Sequence, residues 1–168
     1  MSADPTLLTG LGAALSLFLA GSGAAYGTSH ASIFALRSHP NNHSFMTMSP
    51  VIISGVLALY GVIVGTLLAL KLSPTSTMIT TVEGYKNLCA GLSVGLACLA
   101  SGVGMGNYYK MVNDNDYYFV GGGGSGKSAG GGEGSASKKC NFVTFALCMV
   151  YLEAIGLYGL IVSLFLIW

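Results

Sequence analysis

Charge is what this sequence has least of. Asp, Glu, Lys and Arg together make up 8% of its 168 residues, seven basic against six acidic, where soluble domains carry about a quarter. That scarcity excludes an ordinary soluble domain, and a net charge of +1 leaves neither a basic field for nucleic acid nor an acidic tail. Paired cysteines are missing too. The four thiols, at 89, 98, 140 and 148, form no C-x-x-C unit and no His stands near them at zinc spacing, so they are read as buried, apolar thiols. The three histidines, His30, His39 and His43, share no helical face and are joined by no thiol or carboxylate, so no metal site is expected. A secretory signal is also lacking: the N-terminus carries Asp4 where such a leader has Lys or Arg, and the apolar stretch behind it is too long and glycine-rich for a cleaved segment.

What the chain has is apolar length: 52% hydrophobic residues and a mean hydropathy of +0.68. Four stretches are long enough to cross a hydrocarbon core of about 30 Å, which takes about 20 residues. The first helix is expected from Thr6 to Phe34. The second opens at Pro50, a residue suited to a first helical turn, and ends at Lys71 before Ser73-Pro74. The third runs from Glu83 or Lys86 to about Lys110, and the fourth from Cys140 to Trp168. Small residues recur every three or four positions in helix one (Gly12, Ser16, Ala20, Gly23, Gly27) and helix three (Gly91, Gly95, Gly102, Gly106). Such stripes let backbones approach closely, so both helices are expected to face protein, packing inward against neighbours, and not lipid.

Between Asn107 and Lys139 the chain turns polar and then glycine-rich, and is read as a loop. Within it Gly121 to Ser128, GGGGSGKS, formally satisfies the phosphate-loop pattern with Lys127 and Ser128. The pattern needs a strand before it and a helix after it so that backbone N–H groups and the helix dipole cradle phosphate. Neither flank is present, and so nearly pure a glycine tract reads as flexible linker.

The chain repeats itself. Leu59-Tyr60-Gly61-Val62-Ile63-Val64 answers Leu157-Tyr158-Gly159-Leu160-Ile161-Val162, and Gly12, Leu17, Ser22, Gly23 and Gly27 answer Gly91, Leu96, Ser101, Gly102 and Gly106. The expected fold is therefore an all-α membrane protein of four transmembrane helices in two tandem hairpins, residues 1–72 and 73–168, the second with a Gly-rich loop over 107–139. Both termini then share a side with the Pro74 loop. Arg37, Lys110, Lys127, Lys138 and Lys139 stand on the other side against Lys71 and Lys86, which puts the Gly-rich loop in the cytoplasm.

One ionisable group interrupts the fourth stretch, Glu153, and its counterpart in the first hairpin is Gly55. A charge at the bilayer centre costs at least about 2.5–3.5 kcal/mol, and an acid kept there is by default functional. Neutral, it crosses lipid; ionised, it needs a watery pocket or a cation. Tyr60, one to two turns from the level of Gly55, is either its hydrogen-bond partner or a tyrosine packed at the interface. Ser54 is expected to bond back to its own helix.

GSGAAYGT (Gly21 to Thr28), GVLALYGVIVG (Gly55 to Gly65), AGLSVGLACLASGVGMG (Ala90 to Gly106) and LEAIGLYGLIVSL (Leu152 to Leu164) resemble the proteolipid c subunits of eukaryotic V-type ATPases. The match touches all four helices, and the acid in the last one resembles the main c-type form, since the related c'' form carries it in the first hairpin. The resemblance implies a ring of proteolipid subunits turning in the lipid bilayer of a vacuole or other acidic organelle, with lumenal termini and no cofactor. It implies that the residue matching Glu153 carries the proton to a neighbouring a subunit with an essential arginine, and that a central-stalk subunit docks on the cytoplasmic side. Relatives that pump sodium surround their carboxylate with Gln and Thr oxygens. This chain has no Gln and Thr66 lies too far along its helix, so protons are expected.

Two other readings are set beside this one. A small oligomeric pore or channel would also need packed glycine faces and an intramembrane acid. A nucleotide-binding protein rests only on the Gly121–Ser128 tract. The chain has no constellation for ATP hydrolysis, which is left to partners.

Overall fold

The computed structural model describes residues 4–38, 45–72, 80–114, 119–120 and 140–168. Four helices occupy nearly all of them: α1 (Pro5–Ser38), α2 (Phe45–Lys71), α3 (Thr81–Asp114) and α4 (Phe142–Ile167). Each is long and apolar enough to cross a membrane. At 1.5 Å per residue the 34-residue α1 and α3 are about 51 Å long, so both outreach a hydrocarbon core of about 30 Å. A two-residue parallel ladder, β1 (Phe119–Val120) on β2 (Cys140–Asn141), precedes α4.

The central packing is α1 on α3, with α2 laid on α1 and α4 on α3. The glycine stripes make it possible. A methyl on Gly91 or Gly102 would overlap the backbone of Gly12 or Gly23, and one on Gly23 would sit 2.6 Å from the Cys98 carbonyl oxygen. Gly12 faces the backbone of Asn87 and Leu88, Gly95 faces Leu15 and Leu19, and Gly106 holds the Tyr26 ring and His30. Because Gly12 meets Gly91 and Gly23 meets Gly102, the two helices run parallel in the register of the internal repeat. The neighbour that each stripe packs against is the other stripe of the same chain. Gly27 sits between Gly102 and Ser54, and Gly61 and Gly159 seat α2 on Ser16 and Ala20 and α4 on Ser93 and Ala97.

α2 ends at Lys71 as expected, and the other helix boundaries shift. α1 runs through Ser38. α2 starts at Phe45, so Pro50 lies inside the helix, where it removes the hydrogen bond to the carbonyl four residues back. α3 opens earlier, at a capping box: the Thr80 N–H donates to Glu83 Oε2 at 2.8 Å while the Glu83 N–H approaches Thr80 Oγ1 at 3.4 Å. It ends later, so Asn107–Asp114, assigned to the loop from sequence, is helical. Tyr109 explains the extension. It is fully buried, donates to the Pro50 carbonyl at 3.1 Å, and joins Phe34, Tyr108 and Phe145 in an aromatic cluster. All four helices are tied together at that end. Tyr109→Phe keeps the rings and removes the donor, so a loss of about 0.6–1 kcal/mol is expected. A melting midpoint of the purified protein lowered by a few degrees, with unchanged function, is the check.

At the other end Lys71 Nζ donates to the Ile167 carbonyl at 2.5 Å, placing a cation on the last carbonyls of α4, where the helix dipole favours it. Of the thiols, Cys98 is buried and Cys148 half-buried, but Cys89 is exposed, correcting the expectation that all would be enclosed. The Gly121–Ser128 tract, the Pro74 loop, His39 and His43 lie outside the described residues, as do the side chains of Arg37 and Cys140.

Candidate functional site

Glu153 is the twelfth residue of α4, far from either end of the helix. Its neighbours Tyr151 and Ile155 point outward, 69% and 44% exposed, while Glu153 is half-buried and faces α2. α2 and α4 run in the same direction. Helical side chains tilt toward their own N-terminus, so the Tyr60 ring reaches back along α2 to the level of the acid. Its hydroxyl donates to Glu153 Oε1 at 3.2 Å.

Beside that ring Gly156, one turn beyond Glu153, makes room for Leu57. A Cβ there would lie 2.7 Å from Leu57 Cδ2, 3.7 Å from Tyr60 Cδ2 and 3.7 Å from Cys98 Sγ. Sequence reading passed over Gly156, whose position one turn from the acid was the available signal. The glycines it did select, Gly12, Gly23, Gly27, Gly91, Gly95, Gly102 and Gly106, hold α1 and α3 together as scaffold, and Glu153 and Tyr60 are the pair brought into contact. Ser54 is buried and donates to the Val51 carbonyl at 3.1 Å on its own helix, so its proton is directed along α2. Gly55, the repeat counterpart of Glu153, has open space where a side chain would stand.

The third side of the site is α3. Ser101, fully buried, donates across to the backbone carbonyl of Leu152, the residue before the acid. Nothing in the sequence distinguished Ser101 beyond its place in the repeat. His30 packs edge-on against Tyr26, with ring centroids 4.8 Å apart, remote from this region on α1.

Chemically the arrangement is spare. One bond from the neutral Tyr60 phenol holds the half-buried carboxyl group, which leaves it free to exchange partners. Tyr60→Phe removes a bond worth about 0.6–1 kcal/mol, so the side chain should leave its resting position about three- to fivefold more often. A rise of that size in the rate at which a membrane-soluble carbodiimide modifies Glu153, read by mass spectrometry, is expected.

No family model matches the chain. It is 34% identical over 158 residues to the V-type proton ATPase 16 kDa proteolipid subunit c of Nephrops norvegicus, covering 93% of this chain and 87% of that one. Against the V-type proton ATPase subunit c' of Saccharomyces cerevisiae it is 34% identical over 157 residues, 92% and 84% of the two chains. Against the human 16 kDa proteolipid subunit c it is 33% identical over 158 residues, 93% and 88%.

Proposed function

This chain belongs to the c and c' proteolipid family of V-type proton ATPases, and from that membership we propose that Glu153 is the group on which its proton travels. As a proteolipid it is a multi-pass membrane subunit that assembles with other subunits of the ATPase in a ring; it is not the subunit that hydrolyses ATP. The observation that carries the assignment of Glu153 is its place: an acid in the middle of a lipid-length helix, half-buried, bonded to the Tyr60 phenol.

Protonated, the side chain rides through lipid as the ring turns. At a neighbouring subunit that offers water and a fixed arginine, it ionises, releases its proton and reloads from the opposite side. A central-stalk subunit on the cytoplasmic side couples that rotation to ATP hydrolysis. The excess of Lys and Arg beside the α1–α2 and α3–α4 connections supports a cytoplasmic position for both, with lumenal termini in an acidic organelle such as the vacuole. Protons rather than sodium fit the ligands at hand, since sodium wants several oxygens: the Ser54 hydroxyl points to its own helix and the Leu152 carbonyl already accepts from Ser101.

The test is replacement. Expressed in cells lacking their own c-type proteolipid, the chain should restore ATP-driven acidification of isolated vesicles, and carbodiimide capping of Glu153 should stop it. Sodium ions that protect Glu153 from the reagent would reverse the choice of ion. Passive proton conductance by the purified chain, without the ATPase, would favour the pore reading.

A further inference from the structure

Serines in these helices follow a rule. Ser16, Ser22, Ser29, Ser54, Ser93 and Ser163 each donate to the carbonyl three residues back and Ser32 to the one four back, all within their own helices, as in Ser16 to Ala13 and Ser93 to Ala90 at 2.8 and 3.0 Å. This is the local bond a helical serine finds without help from any neighbour. Ser101 departs from it and donates to another helix, at the Leu152 carbonyl.

That carbonyl is the backbone oxygen immediately before Glu153, and as a helical carbonyl it keeps a second lone pair for Ser101 while accepting from within α4. The internal repeat supplies a comparison. In the packing, Gly61 rests on Ser16 and Ala20 as Gly159 rests on Ser93 and Ala97, so Ala24 stands in the first hairpin where Ser101 stands in the second. The cross-helix bond thus stands in the hairpin that has the acid, at the level of the acid, and the residue in its place in the other hairpin, Ala24, has no hydroxyl to donate.

α4 needs such a constraint. It is the least enclosed of the four helices, with Val150, Tyr151, Ile155, Leu157 and Tyr158 all outward. Apolar contacts against lipid do little to choose its rotation about its own axis. Consecutive residues on a helix differ by about 100° in direction, so a few tens of degrees of rotation would move Glu153 away from Tyr60. Two cross-helix hydrogen bonds bear on this turn, one to the side chain of Glu153 and one to the carbonyl ahead of it.

We propose that Ser101 is a positioning residue for the proton carrier: through the Leu152 carbonyl its hydroxyl fixes the rotation of α4 that presents Glu153 to Tyr60. The inference rests on the reading of Glu153 given above. Ser101 touches neither the carboxyl group nor the proton, and acts by limiting where the carboxyl group can be.

The experiment compares Ser101→Ala, Ser101→Thr and Ser93→Ala, each in the assembled ATPase, by three measurements: ring abundance in the membrane, carbodiimide modification rate of Glu153 per ring, and ATP-driven acidification. For Ser101→Ala, ring abundance stays at the parent level, modification accelerates at least threefold and acidification falls at least threefold. Ser101→Thr, which retains the hydroxyl, recovers more than half of both changes, and Ser93→Ala matches the parent. The proposal is overturned if Ser101→Ala behaves as Ser93→Ala does, if its acidification falls only in step with ring abundance while the modification rate per ring is unchanged, or if Thr is as impaired as Ala. Glu153→Gln, run alongside with Ser101 intact, separates the two ideas. If Gln still pumps, the reading of Glu153 fails; if Gln is inactive and Ser101→Ala is normal, the positioning role alone fails.

Discussion

Glu153→Gln is expected to abolish ATP-driven acidification while leaving the ring assembled. The substitution is nearly isosteric, and the amide oxygen accepts the Tyr60 hydroxyl as the carboxyl oxygen does at 3.2 Å. Packing against Leu57, Tyr60 and Cys98 at the neighbouring Gly156 is untouched. What disappears is the ability to lose and regain a proton, since a carboxamide does not ionise at any physiological pH. Unchanged ring abundance on native gels together with acidification at background is the expected pair of results. Glu153→Asp divides the roles further. It keeps the acid but withdraws it by one methylene, about 1.5 Å, enough to break the bond to Tyr60, so partial acidification with faster carbodiimide modification is expected. Full pumping by Gln would remove Glu153 from the mechanism. Loss of the ring in Gln would make the acid a helix-joining group, the ordinary alternative for a polar side chain in a membrane.

The repeat was legible in the sequence because it is written in identities, Leu59-Tyr60-Gly61 against Leu157-Tyr158-Gly159, but that α1 packs on α3 in the same register came only with the structure. It did not tell the two tyrosines apart. Tyr60 meets Glu153, whereas Tyr158 is 63% exposed, a difference made by the rotation of each helix against its neighbours. Pro50 misled as a start signal because a contact from another helix, the Tyr109 hydroxyl on the Pro50 carbonyl 59 residues away, outweighs the local preference of proline for a first turn, although the carbonyl four residues back loses its helical donor. For the same reason Asn107–Asp114 read as loop: their tyrosines and polar residues carry no apolar period, and burial against Phe34 and Phe145 outweighs local preference. Thr80-x-x-Glu83 was there to be read as a capping box and marks the start of α3 to the residue. Ser101 could not have been found this way, since a helical serine is expected to bond within its own helix and only the neighbouring α4 backbone shows otherwise.

The second large effect concerns the scaffold, and it separates a glycine that is needed from one that is merely present. Apolar helices gain nothing by hiding from lipid that is as apolar as they are, so α1 and α3 are held by close packing and a few polar bonds, among them Asn87 to Thr9 at 3.2 Å. In Gly102→Ala the added methyl meets the carbonyl and Cα of Gly23, which are backbone and cannot swing aside as a side-chain end would. Overpacking usually costs about 1–3 kcal/mol, and an obstacle that forces two helices apart belongs at the upper end, about a hundredfold in the folded population at 1.4 kcal/mol per factor of ten. The matching contact of Gly91 with Gly12 lies eleven residues away on the same helix, three turns or about 16 Å, so separating the helices at one contact strains the other. Gly21→Ala is the control: nothing stands within 4 Å of its missing side chain, and alanine favours helix over glycine by about 0.8–1 kcal/mol. Membrane abundance of the chain, measured by immunoblot after equal expression, should therefore collapse in Gly102→Ala and hold or rise in Gly21→Ala. Equal abundance of the two would mean that α1 and α3 do not approach as closely in the assembled ring as in the single chain, and the glycine stripes would then have to be reassigned to contacts between subunits.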